Sequence, residues 1–263
     1  MQASARVTFL GTGTSHGVPM IGCTCDTCQS PDPRDRRLRA SMFLDVPGRA
    51  RLLVDTSTDL RQQALTHGLH QLDAVLFTHA HADHILGLDD LRRFNVAQGG
   101  GVPCYADAAT WAIIRRTFSY AFDGGPREGG GIPQIETHEI AGPFSVAGVA
   151  VTPVPLLHGR MPILGFRFGD FAYLTDCSAV PEPSWPLLAG VRTLVVDALR
   201  RRRHPTHFSL DEALEVVARV APGRALLTHM CHDLPHAATS ADLPQGVELA
   251  YDGLVLDVTV DLR

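Results

Sequence analysis

The sequence predicts a mixed α/β fold, and three observations support that prediction. Short apolar runs rich in Val, Leu and Phe recur along the chain and end at Gly, Pro or Asp, as strands do. Segments with the helical spacing of apolar residues lie between these runs. The chain has 263 residues and no linker of disordered composition. It is therefore long enough to bury a sizeable core, and we expect residues 1–263 to form a single domain.

The predicted elements follow one another in a strand-rich order. The predicted strands are RVTFLG (6–11), SMFLDV (41–46), ARLLVD (50–55), LDAVLFTH (72–79), VPCYAD (102–107), FSVAGVAVTPVPL (144–156), GFRFGDFAYLTD (165–176), TLVVDAL (193–199), RALLTH (224–229) and two more over 247–260. The predicted helices are 59–69, 85–97, 107–122 and 209–220. The last helix begins after Ser209, and Glu212 three residues on predicts a capping box. A glycine-rich loop is predicted at 123–133.

Composition and charge argue against two classes of function. The formal net charge is −5, and all 23 basic side chains are arginine. A negative chain disfavours a general nucleic-acid binder. No apolar run reaches the roughly 18 residues that a membrane helix needs. The N-terminal stretch MQASARVTFLG lacks the pattern of a secretion signal. We therefore expect a cytoplasmic protein that has no membrane association.

The segment THAHADH at 78–84 carries the strongest chemical signal. It places His79, His81, Asp83 and His84 directly after a predicted strand. Neutral imidazole nitrogens and carboxylate oxygens are good ligands for Zn²⁺ and similar divalent ions. Residues two apart in extended backbone point to the same side, so His79 and His81 can hold one ion. Asp83 and His84, after a turn, can face a second ion. Surface histidines without a ligand are the alternative, but they rarely occur at this density beside an aspartate.

A second candidate metal site lies in GCTCDTC at 22–28. Its three thiols, Cys23, Cys25 and Cys28, follow a compact C-x-C-x-x-C pattern. In a cytosolic protein such a cluster is more often a metal site than a disulfide framework. Structural zinc requires four ligands, and three Cys with one His is a standard set. The alternative is three reduced, buried thiols.

The motif HAHADH matches the signature H-x-H-x-D-H, and the chain resembles the metallo-β-lactamase superfamily over essentially its whole length. The N-terminal FLGTGTSHGVP also resembles this family, in its phosphodiesterase and tRNA-processing branches. The resemblance implies an αββα sandwich in which two mixed β-sheets are flanked by helices. It also implies that metals bind at one edge of the sandwich.

The resemblance implies further residues of the reactive site. His158 in PVPLLHGR would be the third histidine of the first metal ion. Asp176 in FAYLTDCS would bridge two ions, and His229 in ALLTH would be the last ligand of the second ion. Asp55 in LLVDTS matches a position where the superfamily often has an aspartate that supports a metal-binding histidine.

The cysteine triplet resembles the phosphoribosyl 1,2-cyclic phosphate phosphodiesterase branch of the superfamily. That branch completes the triplet with a histidine three residues after the last catalytic histidine, a position that His232 occupies. Cys231 could compete as the fourth ligand. The resemblance therefore implies one structural Zn²⁺ beside two reactive divalent ions, which would be Zn²⁺ or Mn²⁺.

The expected mechanism uses both reactive ions. Two ions about 3.5–4 Å apart can share a hydroxide that attacks phosphorus. Asp83 counts among the catalytic residues as well as among the ligands. The leaving oxygen needs a proton, and His207 is the candidate donor because a comparable histidine stands there in the two branches named above. His204 is the alternative. Arg200 to Arg203 could attract a phosphate or an RNA strand, although a solvated charged face is favoured.

The favoured function is a phosphodiesterase acting on a small cyclic phosphate, and the resemblance suggests a homodimer. A tRNA 3′-end endonuclease is disfavoured because the chain has no long Gly/Pro-rich arm and its net charge is negative. Hydrolysis of a carboxylic ester, lactone or β-lactam is a further alternative, but the position of His207 favours a phosphate substrate. A non-catalytic zinc carrier belongs to a different class, and the presence of all seven expected ligands disfavours it.

Overall fold

The computed structural model describes residues 1–123 and 131–263. Its strands within these ranges are β1 (Gln2–Gly11), β2 (Ser41–Val46), β3 (Ala50–Val54), β4 (Ala74–Leu76), β5 (Val102–Ala106), β6 (Ile135–Glu139), β7 (Phe144–Val146), β8 (Val149–His158), β9 (Met161–Phe168), β10 (Phe171–Leu174), β11 (Thr193–Asp197), β12 (Arg224–Thr228), β13 (Val247–Leu249) and β14 (Val255–Asp261). They form two sheets, with strand orders β14-β1-β2-β3-β4-β5-β6 and β13-β12-β11-β10-β9-β8-β7. Most of the predicted glycine-rich loop lies outside the described residues.

The helices lie between the strands along the chain. They are α1 (Asp26–Gln29), α2 (Leu60–His67), α3 (Ala82–Ile85), α4 (Leu91–Gln98), α5 (Ala108–Thr117), α6 (Ser119–Phe122), α7 (Leu210–Val220) and α8 (His236–Asp242). Short 3-10 helices cover Pro33–Asp35, Leu86–Asp90 and Glu182–Leu188. In the described part of the chain, none of these helices has the length and apolarity needed to traverse a bilayer.

The main core lies between the two sheets. Phe9 and Leu44 from the first sheet pack in one cluster with Phe166 and Tyr173 from the second, and all four are fully buried. Burial of one such side chain contributes about 1.5–3 kcal/mol. Two further apolar clusters attach α2, α4 and α5 to the outer face of the first sheet and α7 to that of the second. This layering confirms the predicted αββα sandwich. That the whole chain is one domain stays a prediction.

Strand direction brings several strand ends to one edge of the sandwich. In the first sheet β3, β4, β5 and β6 run parallel. In the second sheet β10, β11, β12 and β13 run parallel. Because β9 is antiparallel to both β8 and β10, β8 also runs in their direction. Parallel strands place their carboxyl ends at the same edge of a sheet, so residues that follow these strands lie near one another.

Two predicted strands are hairpins in the structure. The run predicted at 144–156 consists of β7 and β8, which are joined by Ala147 (φ 47°) and Gly148 (φ 79°). Two consecutive positive φ angles are typical of the tight turns that connect antiparallel strands. The run predicted at 165–176 consists of β9 and β10, with Gly169 (φ 61°) in the turn. The apolar residues on both sides of each turn concealed it in the sequence.

Other boundaries also differ from the sequence prediction. The helix predicted at 107–122 is divided into α5 and α6, because Phe118 leaves the helical region (φ −113°, ψ 41°) and buries its ring. The sequence does not predict β6, since IETHE is polar and mostly exposed along the edge of the sheet. The helix predicted at 85–97 begins as the 3-10 turn and continues as α4, which ends at Gly99 (φ 73°).

Gly87 holds the segment after β4 against the segment after β3. Its backbone N–H donates to the carbonyl of Thr56 at 3.0 Å, and the Thr56 hydroxyl donates to the carbonyl of Ile85 at 3.2 Å. A Cβ at position 87 would lie 2.1 Å from the carbonyl oxygen of Ser57. Only glycine permits this approach, which fixes the position of α3 relative to β3.

We predict that Gly87→Ala destabilises the protein by about 1–3 kcal/mol, because the added methyl group forces the two segments apart. Urea unfolding curves of the variant and the wild type measure the difference. Gly100→Ala is the control, since no atom lies within 4 Å of a Cβ built there. Equal unfolding midpoints for the Gly87 variant and the wild type would contradict the role given to this contact.

Candidate metal centre

The predicted site residues end or follow the strands that share one edge of the sandwich. In chain order they are Asp55 after β3, the segment THAHADH after β4, His158 at the end of β8, Asp176 after β10 and His229 after β12. Asp55, Asp176 and His229 have φ angles of 63°, 56° and 59°. Such angles are uncommon for residues other than glycine and cluster at functional sites, where the surrounding structure holds them.

Asp176 lies at the centre of the cluster. Its Oδ2 is 3.0 Å from Nε2 of His79 and 3.1 Å from Nε2 of His84. Its Oδ1 is 3.1 Å from Nδ1 of His158. His229 completes the cluster, with Nε2 3.8 Å from Oδ2 of the same carboxylate. Asp176 therefore lies between histidines from both sheets, and its bridging role stays a prediction.

Three groups of potential ligand atoms share Asp176. In each group the donor atoms lie within 4.8 Å of one another. One group consists of Asp83, His84, Asp176 and His229, and another consists of His79, His81 and Asp176. His158 forms a third such group with Asp176 and His207, and its ring centroid is 5.0 Å from that of His81. The structure thus brings all seven predicted ligands together. It places His158 between the first pair of histidines and His207.

Hydrogen bonds orient three of the imidazoles. Nδ1 of His84 donates to Oδ2 of Asp55 at 2.8 Å, which is the predicted contact of this aspartate with a site histidine. Nδ1 of His79 is 3.0 Å from the Thr78 hydroxyl, which donates to the same Asp55 oxygen at 2.8 Å. Nδ1 of His158 contacts the carbonyl of Asp176 at 2.9 Å. These contacts fix each tautomer and leave Nε2 free to bind a metal.

The site contains buried polar atoms that lack hydrogen-bond partners among the described residues. They include Nε2 of His79, His84 and His229, Oδ2 of Asp83 and Oδ1 of Asp176, whose short contacts with one another lack hydrogen-bond geometry. Buried polar atoms without a partner are costly and rare in native proteins. Imidazole nitrogens and carboxylate oxygens that converge in this way form a donor set that a divalent cation would satisfy, so the residues present fit the metals that the sequence implies.

The electrostatics of the site favour positive charge at its centre. Burial lowers the pKa of His79 to about 4, which keeps this imidazole neutral. Burial opposes ionisation of Asp176, but His229, His158 and His207 hold its pKa well below the usual range. Burial also opposes a charge on His84, yet the carboxylates of Asp83 and Asp55 raise its pKa well above the usual value.

The second predicted cluster is also assembled. Nδ1 of His232 is 3.2 Å from Sγ of Cys23, 3.4 Å from Sγ of Cys25 and 3.5 Å from Sγ of Cys28. A zinc tetrahedron with ordinary Zn–S and Zn–N bonds has S···N edges of about 3.6 Å, close to these distances. The backbone N–H of Cys28 lowers the pKa of Cys25 to about 7, while burial raises the pKa of Cys28 to about 11. Cys231 lies outside the group.

Comparison with known proteins identifies the family. Residues 50–230 match the family model described as the β-lactamase superfamily domain. The chain belongs to this superfamily. The predicted membership is confirmed, and the protein is a hydrolase of the metallo-β-lactamase fold, a family whose members use divalent metal ions.

Three proteins show how the chain relates to other superfamily members. The crystal structure of a diphosphatase from the PhnP family is 42% identical, has a TM-score of 0.93 and covers 100% of both chains. Zn²⁺-bound PqqB from Methylobacterium extorquens has a TM-score of 0.77 at 23% identity, covers 96% of this chain and 100% of its own, and so shows the shared fold. An octanoyltransferase from Porphyromonas gingivalis is 38% identical over 253 residues, 95% of this chain, which spans only 51% of that enzyme.

His207 lies at the rim of this superfamily site and is held by two carboxylates. Its Nδ1 is 2.9 Å from Oδ1 of Asp176 and 3.7 Å from Oδ1 of Asp197. Burial opposes protonation of His207, but these two carboxylates raise its pKa to about 10. The alternative histidine, His204, lies next to it, with a ring-centroid separation of 4.9 Å.

Asp197 is a site residue that the sequence interpretation missed. It is fully buried, accepts a hydrogen bond from the backbone N–H of Phe208 at 2.9 Å and lies 3.5 Å from Nδ1 of His229. A signal was present, because Asp197 ends TLVVD as Asp55 ends RLLVD and Asp176 follows FAYLT. Three apolar runs that end in aspartate indicate one shared edge of carboxylates.

A buried arginine connects the two clusters. The guanidinium of Arg37 is 1% exposed and donates to the carbonyl of Cys231 at 2.8 Å and to Oδ1 of Asp35 at 3.2 Å. The same Asp35 oxygen accepts the backbone N–H of His236 at 2.8 Å. This buried pair therefore fixes the loop that carries both His229 and His232.

We predict that Asp55→Asn lowers the affinity for divalent metal about tenfold to 100-fold, because the amide cannot accept from Thr78 and His84 as the carboxylate does. Asparagine tolerates the left-handed backbone at this position, so the fold should persist. Competitive titration of the metal-free protein with Zn²⁺ and a fluorescent chelator gives the affinity. Asp45→Asn, on β2, is the matched control. Unchanged affinity in the Asp55 variant would contradict the orienting role.

Proposed function

We propose that this chain is a metal-dependent phosphodiesterase that hydrolyses a small cyclic phosphodiester. The observation that carries the proposal is the convergence of six imidazole and carboxylate groups around the carboxylate of Asp176 at one edge of the sandwich. The full-length likeness to a PhnP-family diphosphatase supports a reaction at phosphorus. The proposal goes beyond that likeness in naming a diester and a cyclic substrate.

The donor set suits two divalent ions. Two groups of side chains, joined by Asp176, would hold them. The first group is His79, His81 and His158, and the second is Asp83, His84 and His229. Bound there, the ions would act as Lewis acids toward phosphoryl oxygens and lower the pKa of water. The zinc in PqqB favours Zn²⁺, and Mn²⁺ is the alternative.

The residues of the chain would position and protonate the substrate. Nδ1 of His207 faces the carboxylates of Asp176 and Asp197, which leaves Nε2 for an oxygen of the scissile phosphate. A protonated imidazole there can stabilise negative charge and donate a proton to the leaving oxygen. His204 is the alternative donor. Asp83, the second proposed catalytic residue, has a buried carboxylate beside His84 and His229 and would act by holding the second ion in place.

Other functions have weaker support. The described residues contain no long protruding arm of the kind that tRNA-processing relatives use to grip tRNA. Hydrolysis of a carboxylic ester, lactone or β-lactam would not need a cationic group in the position of His207. A zinc carrier would not need the complete set of seven ligands. The likeness to the octanoyltransferase covers only 51% of that enzyme and supports no acyl transfer by this chain. We retain a homodimer and a cytoplasmic location as proposals.

We also propose that Cys23, Cys25, Cys28 and His232 bind a structural Zn²⁺. The three short Sγ···Nδ1 distances support this assignment. The ion would attach the N-terminal loop to the loop after β12. Because His232 is three residues from His229, such an ion would also restrain the reactive site.

We predict that the wild type hydrolyses bis(p-nitrophenyl) phosphate when Zn²⁺ or Mn²⁺ is supplied. His81→Ala should lower kcat by roughly 100-fold or more, because it removes a proposed ligand from the rim. The melting temperature should change little, since His81 is exposed. Release of p-nitrophenolate measures the rate, and His70→Ala, an exposed histidine outside the site, is the control. Absence of turnover with either metal would overturn the phosphodiesterase proposal.

We predict that Cys25→Ser lowers the free energy of unfolding by roughly 2–4 kcal/mol, because a structural zinc contributes folding energy. Elemental analysis should find about one zinc fewer per chain in the variant. Cys231→Ser, which alters a thiol outside the cluster, should keep the zinc content. An unchanged unfolding curve together with unchanged zinc content would contradict the assignment.

A further inference from the structure

Arg37 is the largest of the fully buried side chains among the described residues, with 1% of its surface exposed. It belongs to neither cluster of potential metal ligands in this part of the chain. A buried charge is costly unless hydrogen bonds and an opposite charge compensate it. The contacts of Arg37 are therefore the ones that the fold maintains in spite of that cost.

The guanidinium of Arg37 contacts one loop, residues 229–234, which carries the last histidine of each cluster. Its Nη1 donates to the carbonyl of Cys231 at 2.8 Å, and its Nη2 donates to the carbonyl of Leu234. Nη2 also lies 3.2 Å from Oδ1 of Asp35, which supplies the opposite charge. Because the two carbonyls lie on both sides of the second histidine, these contacts fix the path of the loop backbone.

The backbone of Arg37 contacts the loop that carries the three cysteines. Its N–H donates to the carbonyl of Val18 at 2.7 Å, and its carbonyl accepts the N–H of Val18 at 2.9 Å. Two residues beyond Val18, the N–H of Met20 donates to Sγ of Cys28 at 3.3 Å. Arg37 therefore joins the two loops that meet at the cysteine cluster, although it is not one of the proposed ligands.

Further contacts hold the first part of the loop 229–234. The N–H of Met230 donates to the carbonyl of Thr12 at 2.9 Å, and its carbonyl accepts the N–H of Thr14 at 3.1 Å. The next carbonyl, that of Cys231, is held by a side chain, that of Arg37. None of these contacts involves a proposed ligand atom, so they do not depend on a bound metal.

We propose that Arg37 is a positioning residue that holds the loop 229–234 in its metal-binding shape before any metal binds. His229 then lies ready for the second reactive ion, and His232 lies ready for the structural Zn²⁺. This inference rests on the proposed function, because it requires ions at both clusters. Ligands on a rigid support keep the geometry that a metal needs, and small displacements of catalytic groups are costly for the rate.

Hydrogen exchange of the metal-free wild type tests the proposal without a variant. A chelator removes the metals, and mass spectrometry follows exchange in the peptides that cover residues 229–234. We expect the loop to stay protected, and we expect protection to fall in Arg37→Lys. A lysine amine cannot reproduce the planar fork that reaches Cys231, Leu234 and Asp35 together. Rapid exchange of this loop in the metal-free wild type would overturn the proposal.

Titration with Co²⁺ distinguishes a positioning role from a general loss of stability. Thiolate-to-cobalt absorption reports filling of the cysteine cluster, and the remaining bound Co²⁺ reports filling of the reactive centre. Arg37→Lys should lower both affinities about tenfold, because the loop that carries one ligand of each cluster is loosened. If this variant does not fold, the exchange measurement on the wild type decides.

Arg167→Lys is the matched control for this titration. Like Arg37, Arg167 donates to two backbone carbonyls, those of Gly169 at 2.7 Å and Leu187 at 2.6 Å, but these lie in neither cluster of the described residues. The control should leave both Co²⁺ affinities unchanged even where its melting temperature falls. Unchanged affinities in Arg37→Lys, or equal losses in the two variants, would contradict the positioning role.

Hydrolysis of bis(p-nitrophenyl) phosphate separates this inference from the proposed function. With saturating Zn²⁺, Arg37→Lys should lower kcat and change KM little, because the displaced His229 affects the bound ion rather than substrate binding. If the wild type is active but the results for Arg37 fail, the inference is wrong and the proposed function stands. If no diester is hydrolysed, the proposed function fails, and the Co²⁺ affinities still decide the role of Arg37. If neither cluster of the wild type binds Co²⁺, both proposals fail.

Discussion

The geometry of the site depends on the buried carboxylate of Asp176. A charge removed from water this completely is tolerated only where donors and positive groups surround it. Those groups come from both sheets. His79 and His84 approach from the first sheet, and His158 and His207 approach from the second, with nitrogen–oxygen distances from 2.9 to 3.1 Å. One side chain thus couples the two halves of the sandwich at the edge where the chemistry is proposed to occur.

The sheet architecture explains why so many polar groups can lie at this edge without disrupting the core. Each strand that leads to the site is largely apolar, and its functional polar residue comes where the strand ends. Asp55, Asp176 and His229 then turn through left-handed backbone. The apolar runs supply the packing energy, and the strain at the three turns is a local cost that packing offsets. The apolar residues that stabilise the fold and the polar residues that form the site are therefore only one or two positions apart at the end of each such strand.

The sequence was most informative where physical constraints were local. HAHADH and the cysteine triplet are contiguous, so the spacing of their ligands is visible in the chain. His158, Asp176 and His229 do not belong to a local motif, and only the family resemblance assigned them to one site. Asp197 ends an apolar run as the other two aspartates do, but its role depends on the contacts with His207 and His229 that folding creates. The turns at Gly148 and Gly169 were missed because apolar residues flank them and suggest a continuous strand.

The difference among the four arginines could not be predicted at all. In the sequence they form a uniform run, and a solvated face was the favoured interpretation. Among the described residues three of them meet carboxylates from other segments, whereas the guanidinium of Arg200 donates to backbone carbonyls and has no carboxylate partner. The positions of Asp242, Asp233 and Glu212 in the fold decide which of the arginines have a carboxylate partner. That depends on the packing of α7 and α8, which local sequence does not specify.

The contacts between distant parts of the chain have a consequence for synthesis. β1 pairs along its length with β14, and Cys23 meets His232 across 209 positions. A nascent chain can form neither contact until His232 and β14 have left the ribosome. During translation β1 has an unpaired edge and the three thiols are uncovered, so the growing chain is vulnerable to aggregation and oxidation. Loading of the proposed structural zinc would consequently be a late step in maturation.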